Sequence, residues 1–154
     1  MAERSGVWSR VEEVLEGARV IAVLGAHVRE HKPAFYVPDY MYRQGYRILP
    51  VNPSFAGKTA WAEPFRRLLG DLQDAVDVVN VFRRSELVPD HVEEILGMTP
   101  RPRWVWMQLG VMHDGAAEEL ARAGISVIQN RCMLADHQRW KDRREAASGL
   151  EQDG

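Results

Sequence analysis

Five short runs of apolar and β-branched residues recur along this chain: Val20 to Leu24, Tyr46 to Val51, Val76 to Phe82, Trp104 to Met107 and Ser126 to Gln129. Turn residues and segments of helical spacing separate them, and that rhythm leaves few folds open. The runs lack the in-and-out alternation of a sheet with one wet face, so each is expected to be covered on both sides. The spacing predicts helices over Val7 to Glu16, Ala34 to Gln44, Glu63 to Leu69, Pro89 to Met98, Ala116 to Ala123 and Leu134 to Ala147. With right-handed crossovers these elements give an α/β fold, a doubly wound parallel sheet of about five strands with helices on both faces. Such a sheet takes its ligand beyond the carboxyl ends of the strands, at the switch point, so function is expected in the loops that follow the strands.

Local signals sharpen some elements. Asp114 is placed to cap the fourth crossover helix, Glu118 and Glu119 suit its positive end, and Gly124 stops it. Pro38 falls inside the first crossover, which predicts either a later start or a kink there. Asn52 to Trp61 carries Pro, Gly, Ser and Lys with little periodicity and reads as a loop.

Length and composition bound the rest. The 154 residues, 45% of them hydrophobic, suit one self-sufficient domain over 1–148 with a frayed tail over 149–154. Twenty Lys and Arg against 22 Asp and Glu leave a formal net charge of −2, so no global positive field exists to hold nucleic acid. Cys132 is the single cysteine, which excludes an intrachain disulfide and multi-cysteine metal sites, and no histidine spacing suits zinc. The polar N-terminus and the short longest apolar run predict a cytoplasmic protein with no membrane association.

The loop after the first run is Gly25-Ala26-His27-Val28-Arg29-Glu30-His31-Lys32-Pro33. Of the three glycines in a dinucleotide fingerprint only Gly25 is present, yet Gly25 and Ala26 let backbone amides approach a phosphate, and Arg29, His31 and Lys32 add charge. Alone, the same loop reads equally well as a tight turn with solvated charges. The second run ends in Asn52-Pro53, without the acid that binds ribose hydroxyls of NAD or an arginine for NADP, which disfavours both. After the third run come Phe82, Arg83 and Arg84, an aromatic to lie on a base and two cations for phosphates, followed by Ser85, which could cap a helix. The fourth run leads into Gln108 and Gly110, which could line the same crevice.

Taken together and in this order, VIAVLGA at 20–26, GYRILPVNP at 45–53, VDVVNVFRRSELVP at 76–89, WMQLGV at 106–111 and NRCMLADH at 130–137 resemble the small CoA-binding proteins. These are single Rossmann-like domains related to the N-terminal CoA-binding domain of the succinyl-CoA synthetase α subunit. The resemblance implies coenzyme A or an acyl-CoA as the bound ligand, with no metal. It implies that Gly25, Ala26, His27 and Lys32 meet the phosphates, with Asn52, Pro53 and Lys58 from the second loop. Phe82, Arg83 and Arg84 would line the nucleotide end, while Gln108 and Gly110 would approach the pantetheine arm. His27 and Ala34 stand where this family often has serine.

The ligase reaction of the larger enzymes needs a phosphohistidine domain and a partner subunit, for which this length leaves no room, so a binder without catalysis is expected. The alternatives are an enzyme using Cys132 in thiol or acyl exchange with CoA, or an atypical NAD(P)-binding protein. Cys132 reads first as a small buried side chain, and Trp104 and Trp106 as core. A homo-oligomer or a protein partner stays open, with the charged segment Arg139 to Glu151 as a candidate surface.

Overall fold

The structure is a computed structural model that describes the backbone of residues 2–153 and the side chains of residues 6–149. In chain order its regular elements are α1 (Ala2–Gly17), β1 (Val20–Leu24), α2 (Pro33–Arg43), β2 (Arg47–Val51), β3 (Thr59–Ala60), β4 (Glu63–Pro64), β5 (Val78–Val81), α3 (Val92–Leu96), β6 (Trp104–Met107), α4 (Asp114–Arg122), β7 (Ser126–Ile128) and α5 (Met133–Asp153). Five strands form one parallel sheet in the order β2-β1-β5-β6-β7. This is the α/β, Rossmann-like doubly wound fold expected from the sequence, and its switch point lies between β1 and β5.

Alternate residues of each strand feed two separate cores. Ile21, Val23, Ile48, Val78, Trp104, Trp106 and Ile128 pack on one face with α1, α2 and α5. Ala22, Leu24, Leu49, Val79, Val81, Val105 and Met107 pack on the other with α3 and α4. Trp104 and Trp106 are therefore core on the same face, and the Trp106 indole N–H donates to the Arg131 carbonyl at 2.8 Å.

Several elements differ from the sequence expectation, each for a local reason. No helix forms over Glu63 to Leu69; β4 pairs there with β3, and a 3₁₀ turn follows at Leu69–Asp71. β2 is an outer strand, and residues 64–66 cover its free edge: Arg66 N–H donates to the Pro50 carbonyl at 3.1 Å and Asn52 N–H to the Arg66 carbonyl at 2.9 Å. Pro50 sits with its missing donor on that outer edge, where a strand tolerates it. The predicted loop over Asn52 to Trp61 holds a 3₁₀ turn, Pro53–Phe55, and then β3.

The helix expected over Pro89 to Met98 begins as a 3₁₀ helix, Ser85–His91, because Pro89 has no N–H for an α-helical bond, and only Val92–Leu96 is α-helical. Ser85 caps no helix there; its hydroxyl bridges to the β6 loop instead, donating to the Gly110 carbonyl and accepting from Met112 N–H. At α4 the cap is His113, not Asp114: the His113 Nδ1 accepts from Ala116 N–H at 3.0 Å, and Asp114 accepts from Gln129. α5 runs on past Ala147 to Asp153, through most of the segment read as a tail.

Asp77 ties the amino end of the sheet together. Its carboxylate accepts from the backbone N–H groups of Arg19 and Val20 at 2.8 and 2.9 Å, and its carbonyl accepts from Arg103 and Trp104. Hydrogen bonds to a charged acceptor contribute about 1.5–3 kcal/mol. Asp77→Ala is expected to lower the unfolding free energy by about 2 kcal/mol in urea titration, with Asp77→Asn recovering part of the loss.

Candidate functional site

The carboxyl ends of β1, β2 and β5 meet at a crevice of about 250 Å³ lined by Leu24, Gly25, Val51, Asn52, Pro53, Ser54, Arg67, Leu68, Arg83, His91 and Glu94. It lies where the strand order reverses, which is where a doubly wound sheet offers its ligand site. Its volume falls just below that of pockets that enclose a whole drug-sized molecule, roughly 300–1,000 Å³. A larger ligand would seat one part here and lie across the neighbouring loops.

Gly25 forms the floor. Its φ of +91° lies in the left-handed region, and a Cβ there would overlap the Phe82 carbonyl oxygen, so no other residue fits without moving β5. Gly25 N–H donates to the Val51 carbonyl and Phe82 N–H to the Leu24 carbonyl, which fuses the three strand ends.

The loop that follows is fastened at two points. Asn52 Nδ2 donates to the Ala26 carbonyl at 2.9 Å, while Asn52 Oδ1 accepts from Ser54 N–H at 3.0 Å. His27 N–H donates to the Ala34 carbonyl at 3.1 Å. That acceptor is free because α2 begins at Pro33, with no later start, and carries Pro38 inside it. Residue 38 would otherwise supply the N–H for the carbonyl four residues back. The imperfection in the helix becomes the anchor of the loop.

The residues marked in the sequence separate into groups. Gly25, Asn52, Pro53 and Arg83 line the crevice. Ala26 is buried in the loop base and Lys32 is the exposed residue that precedes α2. Lys58 is exposed on the turn before β3 and lies outside the lining. Phe82 leans into the core on the face of α1, α2 and α5, and Arg84 is exposed beside Glu86 at 3.7 Å.

Gln108 is turned inward instead of lining the crevice. It is 4% exposed, and its Oε1 accepts from Met133 N–H and Asn80 Nδ2. Gly110, with φ of +86°, opens to free space beside the crevice, its N–H held by Asn130 Oδ1 at 2.7 Å. Cys132 is half-buried against the core, and Arg131 beside it makes two hydrogen bonds to Asp136, at 2.7 and 2.9 Å.

Seven lining residues were not singled out as site residues from sequence: Leu24, Val51 and Ser54, which adjoin residues that were, and Arg67, Leu68, His91 and Glu94. Arg67 and Leu68 were hidden by the helix expected over Glu63 to Leu69; Pro64 in that stretch and the need to cover an edge strand were the available signals. His91 accepts a hydrogen bond from Arg83 Nε at 3.3 Å, and its Nδ1 stands 3.8 Å from Glu94. Arg83 is thus held through its Nε–H. Burial holds the His91 imidazole below its ordinary value, outweighing the pull of Glu94.

A second cavity, about 570 Å³, opens at the opposite, amino end of the strands and includes Tyr46, His137 and Trp140. His137 shares a hydrogen bond with the Tyr40 hydroxyl at 2.9 Å, and burial, with Lys141, keeps its imidazole below the ordinary value. Among the described residues no group of His, Cys, Asp and Glu could hold a metal ion, and no helix is long and apolar enough to cross a membrane.

Comparison with known proteins agrees with this geometry. A family model described as a CoA binding domain matches residues 19–138. The YneT protein of Bacillus subtilis strain 168 is 33% identical over 129 residues, 84% of this chain and 93% of its own length. A solved Thermus thermophilus structure superposes with a TM-score of 0.81 at 42% identity, covering 86% of this chain and 97% of that one. A Pyrococcus horikoshii OT3 structure gives 0.78 at 26% identity, covering 86% and 90%.

Three histidines predict a pH dependence of stability. His27, His91 and His137 have folded-state values below 6.5, so below that pH the unfolded chain binds more protons than the folded one. Stability is then complete above about pH 6.5 and declines as pH falls from there. The melting temperature is expected to drop between about pH 7.5 and 5.5, and to drop less in His137→Gln, as read by circular dichroism melts.

Proposed function

The chain belongs to the CoA binding domain family, and we propose that it binds coenzyme A or an acyl-CoA at the carboxyl ends of β1, β2 and β5 without catalysing a reaction. The observation that carries this reading is the switch-point crevice itself, floored by bare backbone at Gly25 and lined by Arg67 and Arg83. CoA brings an adenine, three phosphates and a long neutral arm. Arginines suit its phosphates bidentately, and amides of the 25–32 loop extend the same surface. Exposed Leu68, Leu109 and Met112 supply apolar contact for the neutral arm.

Two features favour this over the alternatives. NAD recognition uses an acid at the end of the second strand, but Asn52 stands there, with both ends of its amide already bonded within the protein. A nucleophilic role for Cys132 would gain from a free cation beside it, whereas Arg131 is engaged by Asp136. Binding without chemistry is the reading these contacts support.

Thermal shift and calorimetry test it. CoA at about a hundredfold its dissociation constant adds about 2.7 kcal/mol of stability, which raises the melting temperature by several degrees, and NAD at the same concentration leaves it unchanged. Arg67→Ala and Arg83→Ala are each expected to weaken CoA by roughly 10- to 100-fold, the worth of a hydrogen bond to a charged group. Equal shifts from NAD and CoA, or none from millimolar CoA, would overturn the proposal.

A further inference from the structure

Within the loop that follows β1, the His27 side chain does something no serine at that place could do in the same way. Its ring Nδ1 accepts from the backbone N–H of Val28 and from that of Arg29, both at 3.0 Å. A nitrogen that accepts two N–H donors carries no proton, so the neutral ring holds its hydrogen on Nε2. Consecutive amides pointing at one acceptor form a small anion-binding concavity, and here the protein fills it with its own side chain.

The surroundings fix everything except the ring. The backbone is fastened on either side, at Ala26 by Asn52 and at His27 by Ala34. The ring meets the edge of Phe55 with centroids 4.8 Å apart and is half-exposed, so it can rotate out without moving the fold. Partial burial disfavours its charged form most, followed by Lys32, Arg29 and His31, all on its own loop. The elements packed against it contribute Phe55 and, through Ala26, Asn52, neither of which titrates.

We propose that His27 is a built-in competitor for the ligand's phosphate, occupying the Val28 and Arg29 amides in the free protein and turning out as a protonated donor when a phosphate takes them. This deepens the CoA reading of the same site and rests on it. Partial burial and then the basic groups of the loop favour the neutral ring in the free protein. A phosphate reverses the sign of the local charge and favours the imidazolium, so binding takes up a proton from solvent and tightens as pH falls through the histidine range.

Calorimetric titration of CoA from about pH 5.5 to 8, in buffers of differing ionisation enthalpy, compares the wild type with His27→Ser. Two displaced hydrogen bonds are worth roughly fivefold or more, so His27→Ser is expected to bind CoA at least that much tighter near pH 8. Its lead is expected to shrink towards pH 5.5, and only the wild type takes up the His27 proton. Titration of the ligand phosphate and of the other histidines is common to both proteins and drops out of the difference.

Imidazole nitrogen spectra of the wild type supply a readout that no variant can spoil: the Nε2–H tautomer in the free protein and the imidazolium with CoA at the same pH. Coincident affinities, pH profiles and proton uptake, or a ring unchanged by bound CoA, would overturn the role of His27 while leaving CoA binding intact. Absence of CoA binding to either protein would instead defeat the reading on which it rests.

Discussion

The close approach of β1 and β5 where the chain leaves the first strand is the constraint on which the rest of this molecule depends. Leu24 pairs with Val81 in register, and one residue later Gly25 must pass the Phe82 carbonyl with no room for a side chain. Had any other residue stood at 25, the strand ends would be forced apart, and the floor of the crevice would be a side chain instead of backbone. Because they stay together, the loops after β1, β2 and β5 converge, and Arg67 and Arg83, from two different loops, share one opening. A net charge of −2 for the whole chain conceals this local excess of base.

A second dependency runs through a flaw. Pro38 deprives α2 of one hydrogen bond, and the freed Ala34 carbonyl takes the N–H of His27. A buried carbonyl left without a donor costs free energy, so helix and loop stabilise each other through what each lacks alone. Asn52 completes the arrangement from β2, spending its whole amide on Ala26 and Ser54. The loop backbone is therefore held in place before any ligand arrives.

Much of the fold was legible in the sequence because a doubly wound sheet writes itself in continuous apolar runs. β1 and β6 coincide with the runs Val20 to Leu24 and Trp104 to Met107, and the others differ by one or two residues at their ends. What was not legible depended on tertiary demand. Glu63 to Leu69 has helical spacing, yet an open strand edge beside it claimed its backbone. His113 takes the place of Asp114 as a cap, its Nδ1 accepting from Ala116 N–H, while the Asp114 carboxylate accepts from Gln129. Within the site, residues next to the strand ends could be named from spacing, whereas Arg67 and His91 arrive from segments whose path the spacing misread. Gln108 shows the converse: the right place in sequence, but its amide turned inward to join β5, β6 and the start of α5.

On the proposed function, the carboxyl-end crevice, and not the larger cavity at the amino end, receives CoA. Amide chemical-shift mapping during CoA titration addresses this directly. Shifts are expected to concentrate at Gly25 to Lys32, Asn52 to Ser54, Arg67, Leu68, Arg83 and His91, with Tyr46 and His137 unmoved. Shifts centred on Tyr46, His137 and Trp140, with the Gly25 loop silent, would contradict it.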